Sequence, residues 1–416
     1  MKILFINQID TSGGAAIAAW RIAESLSKFK NTENYFITSS KKSDSEFVYD
    51  CTPGNKLARI ADEYLVKFTS AVGLQYIYIP FHKMQIIKRA RKIKPDIINI
   101  HNIHGSYFQT GLIKELSNYA PVAWTLHDMW AITRNASYTY GNSEWKNLKS
   151  FPGEKDIYPS MGFDSGNYLL NRKKRIYSKS RLSVVAPSKW LFDCAATSPV
   201  FENTEVVNIP YAIDTVYFSP ADRNEAKNNL GLDNKVSSLF FNADWIYKEP
   251  RKGGHFIPEI LIKLNNNLSK RISVIVSGRD KPYNFENLKN LHFSFIGSVS
   301  GDNMVREVLR ASDVIMHPSR ADNLPNMLLE AGACGTAAAA FDVGGSSDIV
   351  IDGVNGILEH PFDIDSYSAR LASLLENEDM LKSFSQNARN HVCSAFSSEK
   401  TAESYYNYFE RLIKKQ

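Results

Sequence analysis

Asp313-Val-Ile-Met-His-Pro-Ser-Arg-Ala-Asp-Asn-Leu-Pro-Asn-Met-Leu-Leu-Glu-Ala-Gly-Ala-Cys-Gly335 is the stretch from which the rest of the chain can be read. Residues 314–318 are a short apolar run of strand length. A polar turn with Asp322 and Asn323 follows, and Pro325 stands where a helix begins, a position that loses nothing by lacking an N–H. Glu330 then falls about one turn inside that helix. Strand, turn and helix in this order make half of a parallel βαβ unit. The helix's unpaired N–H groups and positive dipole end suit a phosphate or a departing diphosphate. From spacing alone, Asp322 is equally well a turn residue and Glu330 a solvated helix residue.

The same alternation extends both ways from this stretch. Upstream lie strand-like runs at 237–242, 272–278 and 292–297; downstream lie 336–341 and 356–358, then helical patterns at 364–376, 380–395 and 399–414. An independent series occupies the first half, with strands at 2–7, 35–39, 96–101, 122–127 and 182–188 and a helix at 15–28. Two doubly wound α/β domains facing a cleft are predicted, with ligands beyond the carboxyl ends of the strands. The expected division is 1–206, 207–395 and a last helix, 396–416, whose Ser-Tyr-Tyr-Asn-Tyr-Phe is too apolar for a solvated tail. Residues 137–167 have no period and are expected to be a long surface insertion.

Composition agrees with this division. A chain of 416 residues, 44% hydrophobic and 22% charged, exceeds what one core organises. No apolar run reaches the roughly 18 residues of a membrane span. The N-terminus reads as a buried strand rather than a signal peptide. Cys51, Cys194, Cys334 and Cys393 are far apart, which suggests neither disulfides nor zinc and fits a reducing cytoplasm. A net charge of +5 is too mild to indicate nucleic-acid binding. Basic residues bunch at Lys88-Arg89-Ala90-Arg91-Lys92-Ile93-Lys94 and at Arg172-Lys173-Lys174-Arg175, each in a probable helix. Each cluster is either a solvated face or a surface for anionic lipid or a polyphosphate-linked acceptor.

Three further groups of residues lie where a doubly wound domain presents its ligand contacts. Arg251-Lys-Gly-Gly254 opens a helical pattern, and two cations there oppose the helix dipole unless an anion sits before them. Thr11-Ser-Gly-Gly-Ala-Ala16 follows the first strand, and Gly13 and Gly14 allow either an anion-binding turn or a plain structural one. Val122-Ala-Trp-Thr-Leu-His-Asp-Met-Trp130 sets His127 and Asp128 just past a strand, with His101 and His104 at the equivalent edge of a neighbouring strand. Ser188 is expected to cap the helix after it.

The 313–335 stretch resembles the signature of glycosyltransferase family 4, P-S-x-x-E-x-x-P-x-x-x-x-E-A-x-A-x-G followed by a G-G turn, here Phe341-Asp-Val-Gly-Gly345. The resemblance covers nearly the whole chain and implies the GT-B fold, retention of anomeric configuration and no metal or other cofactor. It places Glu330 on the donor ribose, Asp322 near the transferred sugar, and the backbone of Asn323, Leu324, Pro325 and Asn326 on the donor. Asp322 stands where the pattern has Glu, one methylene longer. Arg251 and Lys252 match the R-K-G that holds the donor diphosphate, and Gly13 and Gly14 match a loop against the phosphates. The H-D-x-W pattern resembles exopolysaccharide and colanic-acid-type members, in which the His lies beside the transferred sugar; that role falls on His127. Relatives often carry cysteines after this pattern, and residues 133–159 here have none. His101, His104 and Asp128 are expected on the acceptor side. Gly278, Ser298 and Val299 are expected on the donor side, with the base read by backbone at 297–300, and the last helix is expected to cross back to the first domain.

The expected function is transfer of a hexose-type sugar from a nucleotide diphosphate sugar, UDP before GDP, to a glycan or lipid-linked acceptor in surface polysaccharide synthesis. A non-catalytic nucleotide-sugar-binding protein, a nucleotide-sugar epimerase and a phosphorylase are the alternatives. Peripheral contact with the inner face of the membrane, through the basic clusters or the aromatic stretch 64–81, is weighed against ordinary packing.

Overall fold

A computed structural model describes residues 1–242, 249–278, 287–299 and 301–415. They divide into two compact units, Met1–Ala212 with Ser398–Gln416, and Ile213–Ser397.

The first unit is a parallel sheet of β1 (Lys2–Ile6), β2 (Glu33–Thr38), β3 (Val48–Asp50), β4 (Ile97–Ile100), β5 (Val122–Thr125), β6 (Leu182–Ala186) and β7 (Glu205–Asn208). Their order is β3-β2-β1-β4-β5-β6-β7. The central strands are mostly apolar and buried on both faces, as helices on either side of a parallel sheet require, with Asn99, Thr125 and Ser183 as polar exceptions. Chain direction across the sheet reverses between β1 and β4, so the loops after these strands part there and leave a place for a ligand. The helix Ser398–Lys414 belongs to this unit. Its Tyr405, Tyr408 and Phe409 share a core with Ile3, Phe5 and, from helix α1 (Gly14–Lys30), Ile22.

Three expectations for this half change. A boundary at 206 would cut β7, where Val206 pairs with Val184 of β6; the unit runs on to Ala212. The segment 137–167 is not a loose surface loop. Buried Arg134 spreads its guanidinium over Glu154 (2.8 Å), Asp164 (2.8 Å) and Asn167 (3.1 Å), and Trp145 enters the core. Lys173 drops out of the second basic cluster, because its ammonium turns inward over the Trp130 ring and donates to the Trp130 and Thr133 carbonyls. Ser188 does cap its helix, accepting from Leu191 N–H at 3.0 Å.

The second unit contains, among the described residues, β8 (Ser238–Asn242), β9 (Ile272–Ser277), β10 (Leu291–Phe295), β11 (Val314–His317), β12 (Ala337–Phe341) and β13 (Gly356–Glu359) in the order β10-β9-β8-β11-β12-β13. All pairs are parallel, and the reversal falls between β8 and β11. Asp313 locks that pair at its base, accepting from Ser238 N–H and Oγ at 2.8 Å and from Lys227 at 2.9 Å. Among the described residues no helix is long and apolar enough to cross a membrane.

Candidate functional site

The loops after β8 and β11 meet at the reversal in the second sheet. Arg251 and Lys252 lie in a tight turn, Pro250–Lys252, and the following helix starts only at Ile257. They therefore precede the helix, rather than opening it as the sequence suggested. Gly253 makes the turn with φ +72°, and a Cβ there would lie 1.8 Å from the Pro318 carbonyl oxygen. Two backbone contacts fasten the loops: Arg320 N–H donates to the Arg251 carbonyl (2.8 Å), and the Arg251 guanidinium donates to that of Ala321 (3.0 Å).

Asp322 takes both cations, with Lys252 Nζ 2.6 Å from Oδ2 and Arg251 3.2 Å from Oδ1. Burial alone would raise the Asp322 carboxyl, but Lys252 and Arg251 hold it well below the usual carboxylate range. The sequence did not single out His317, at the end of β11, whose Nε2 sits 3.7 Å from Asp322, too long for a hydrogen bond. Burial lowers its pKa, so the ring adds no fixed charge to the cluster at neutral pH. Gly344, in the G-G turn, has φ +58°, and its Cβ would meet the Asp322 carbonyl oxygen at 1.7 Å, so this turn closes directly on the carboxylate's backbone.

The next helix runs Asn326–Ala333 with Pro325 as its N-cap, one residue from the expected place, and Asn323, Leu324 and Glu330 are buried. The geometry brings together Arg251, Lys252, Asp322 and the start of the helix that carries Glu330. Gly278 is joined to Gly297 by an N–H to carbonyl bond of 2.9 Å, which sets the end of β9 beside the Gly297–Ser298–Val299 segment; Ser300 lies outside the described residues.

A second cluster lies past β4 and β5 in the first unit, and its hydrogen bonds set the tautomers of His101 and His127. Asn99 Nδ2 donates to the Ala123 carbonyl (2.9 Å) and Thr125 Oγ1 (3.0 Å), leaving Oδ1 to accept from His101 Nε2–H (2.8 Å). His101 Nδ1 then accepts from His127 Nε2–H at 2.9 Å. His127 Nδ1 accepts from the Tyr211 hydroxyl at 2.6 Å. Thr125 continues the chain to Tyr405 on the helix Ser398–Lys414, 3.2 Å away. Burial pushes His127 down to about 4 against the pull of Asp128, and burial with the neighbouring His127 holds His101 well below the usual histidine range.

His104 bonds Asp128 (3.0 Å) and the Tyr76 hydroxyl (3.3 Å), while Asp128 also accepts from Trp130 N–H (2.8 Å). His101 and His104 are both buried and are bonded to His127 and Asp128 respectively. At the reversal of this sheet Gly13 caps α1 with φ +89°, and Gly14 is the helix's first residue. Asn7 Oδ1 accepts from Asn102 N–H at 2.9 Å, tying the β1 loop to the β4 loop. Asn7, Asn99, Tyr211 and Tyr405 carry no sequence signal of their own.

The histidine chain sets a pH dependence. Unfolded histidine binds a proton below about 6.5. Folded His127 stays neutral down to about 4. Over that window the unfolded state holds more protons, so stability falls as pH drops from about 6.5 towards 4. Urea midpoints should be lower at pH 5 than at pH 7, and the difference should shrink in Tyr211→Phe, where Nδ1 regains access to a proton. Equal midpoints at both pH values in the native chain would rule this out.

Residues 248–391 match the family model described as Glycosyl transferases group 1. The match contains Arg251, Lys252, Asp322 and Glu330. A D-inositol 3-phosphate glycosyltransferase of Geodermatophilus obscurus is 30% identical over 209 residues, 47% of this chain and 45% of that protein. The chain spans about half the length of the curated relatives it matches first. Sucrose-phosphate synthase from Thermosynechococcus elongatus superposes with a TM-score of 0.71 at 16% identity over 100% of both chains. Anabaena HepE, solved with UDP and glucose, gives 0.67 at 16% identity over 99% of this chain and 100% of that one. The fold is that of these GT-B structures: two Rossmann-like α/β domains, each on a parallel sheet.

Proposed function

We propose that this chain is a retaining, metal-independent glycosyltransferase of family 4. It moves a hexose-type sugar from a nucleotide diphosphate sugar, UDP before GDP, to a glycan or lipid-linked acceptor in surface polysaccharide synthesis. The observation that carries the reading is the Lys252–Asp322–Arg251 cluster beside the start of the helix bearing Glu330, inside the matched segment. Without a donor, Asp322 supplies the anion that two neighbouring cations require. A diphosphate with more charge and more acceptor oxygens displaces it, and the freed carboxylate turns to sugar hydroxyls. As the bond from the anomeric carbon to the phosphate oxygen breaks, Lys252, Arg251 and the helix N-terminus stabilise the negative charge left on the diphosphate. The acceptor oxygen bonds to the same face of that carbon, and its proton passes to the departing phosphate. His127 takes no proton in this scheme. Its Nδ1 is an acceptor, now held by the Tyr211 hydroxyl, and in this scheme it receives a sugar hydroxyl instead. Support for UDP comes from HepE, whose crystals contain it.

The test is a thermal-shift and hydrolysis panel of UDP-, GDP- and other nucleotide sugars with EDTA present. One nucleotide should stabilise the chain despite EDTA, and Glu330→Ala should weaken it by about 10- to 100-fold through loss of a charged hydrogen bond. Stabilisation without hydrolysis or transfer to any acceptor would instead favour a binding protein. No stabilisation by any sugar nucleotide would end the transferase reading.

A further inference from the structure

Helix α2 (Lys56–Ala71) is amphipathic in the reverse of the usual sense. Its one fully buried residue is Asp62, whose carboxylate accepts from His82 N–H (2.9 Å) and Phe81 N–H (3.3 Å) and pairs with His82 Nδ1 (2.7 Å). Asp62 thereby caps helix α3 (Pro80–Ile93), so α2 is held to the unit partly through a polar anchor. Its large apolar side chains point outward. Leu57 is 75% exposed, Tyr64 69% and Phe68 65%, with Ile60 and Val72 completing a line at steps of three and four residues. That spacing is one continuous helix face.

The segment 137–167 extends the face. Gly162 N–H donates to the Ser70 carbonyl at 3.1 Å, and a Cβ on Gly162 would collide with the Ala71 carbonyl, so this chain lies against the end of α2. The next residue, Phe163, is 67% exposed. Six large apolar side chains thus share one surface.

Charge identifies what covers it. Lys56, Arg59 and Lys67 are exposed along α2 against the single exposed acid Glu63, and Lys67 Nζ lies 5.9 Å from the Tyr64 ring. Residues 56–94 hold nine Lys or Arg and two acids, one of them the buried Asp62. A protein partner would match an apolar stripe with its own apolar surface and would not call for cations of one sign along it. A bilayer with anionic headgroups calls for both, since acyl chains take Leu, Tyr and Phe while long cationic side chains reach back to phosphates. We propose that α2 and Phe163 form a surface that docks in the headgroup region of an anionic membrane, with the helix axis in the membrane plane.

The test needs no sugar transfer, so its outcome is separate from that of the proposed activity. Full-length protein is sedimented with phosphatidylglycerol–phosphatidylcholine vesicles and with phosphatidylcholine alone, at low and raised salt. Binding is expected to the anionic vesicles and to weaken with salt. Tyr64→Ser with Phe68→Ser should lower the partition by about 100-fold. Tyr64→Trp should retain it. Both replaced side chains are exposed, so an unchanged urea midpoint is expected and shows that the loss is not unfolding. No binding of the native chain to anionic vesicles overturns the proposal, as does binding that the double variant leaves intact. A native dimer that the double variant dissociates, with no vesicle binding, also overturns it and assigns the face to a second copy of the chain.

Discussion

Lys252→Ala should cut turnover by about 10²- to 10³-fold, the range found when one preorganised charge-stabilising donor is removed from an active site. Lys252→Glu should leave no measurable transfer, because it sets a second anion beside Asp322 where a diphosphate must bind. The geometry makes this position more sensitive than an ordinary surface lysine, since Nζ is 2.6 Å from a mostly buried carboxylate. Removing the cation leaves Asp322 to Arg251 alone, 3.2 Å away, and their pairing then competes with the donor for the one remaining cation. Two measurements should move together: kcat falls, and stabilisation by nucleotide in a thermal shift is lost. Lys252→Arg should recover part of both, because charge is restored while the fork reaches its partners differently. Near-normal turnover in Lys252→Glu would remove the cation from the mechanism.

Gly253→Ala should be among the most damaging of the small substitutions. At φ +72° any side chain is strained by about 1–2 kcal/mol. The added carbon would also meet the Pro318 carbonyl oxygen at 1.8 Å, and that oxygen belongs to a loop bonded to Arg251 at both Arg320 and Ala321. Neither side can yield without separating the cations from Asp322. We expect the melting temperature to fall by about 5 °C or more and nucleotide stabilisation to vanish. Gly231→Ala is the control, because its φ is +67° with nothing within 4 Å of the new carbon. It should show the backbone strain alone and keep activity. Similar behaviour of the two variants would mean that the contact with Pro318 does not position the cations.

These two sites were legible in the sequence to different degrees, for a physical reason. The features of the cluster in the second unit lie in two short runs, 251–254 and 318–330, where local chemistry says much: a proline at a helix start, a glycine at a turn, cations in front of a helix. Even so, the sequence opened a helix at Arg251, because it gave no sign that Gly253 is forced left-handed by a carbonyl of a different loop. The histidine site is assembled from strands far apart in the chain. His127 stood out by its place after a strand, but its tautomer is set by Tyr211, which the sequence did not single out, and by Asn99, read only as strand interior. The reversed polarity of α2 was hidden for the same reason, since an apolar stripe at helical spacing looks identical whether it faces a core or the solvent. Only the position of Asp62 separates the two.

The helix Ser398–Lys414 has a consequence for how the chain matures. Its Tyr405, Tyr408 and Phe409 complete the apolar layer over Ile3, Phe5 and Ile22, yet nearly two hundred residues of another unit are synthesised between them. During translation Ile213–Ser397 can close its own core while the earlier half still waits for its last helix. Until then the layer under that helix is uncovered, and Thr125 has no Tyr405 to end the hydrogen-bond chain through His101 and His127. A chain ended before residue 398 would therefore hold every residue of the second unit, while the first unit would lack both its closing helix and the Tyr405 end of its histidine chain.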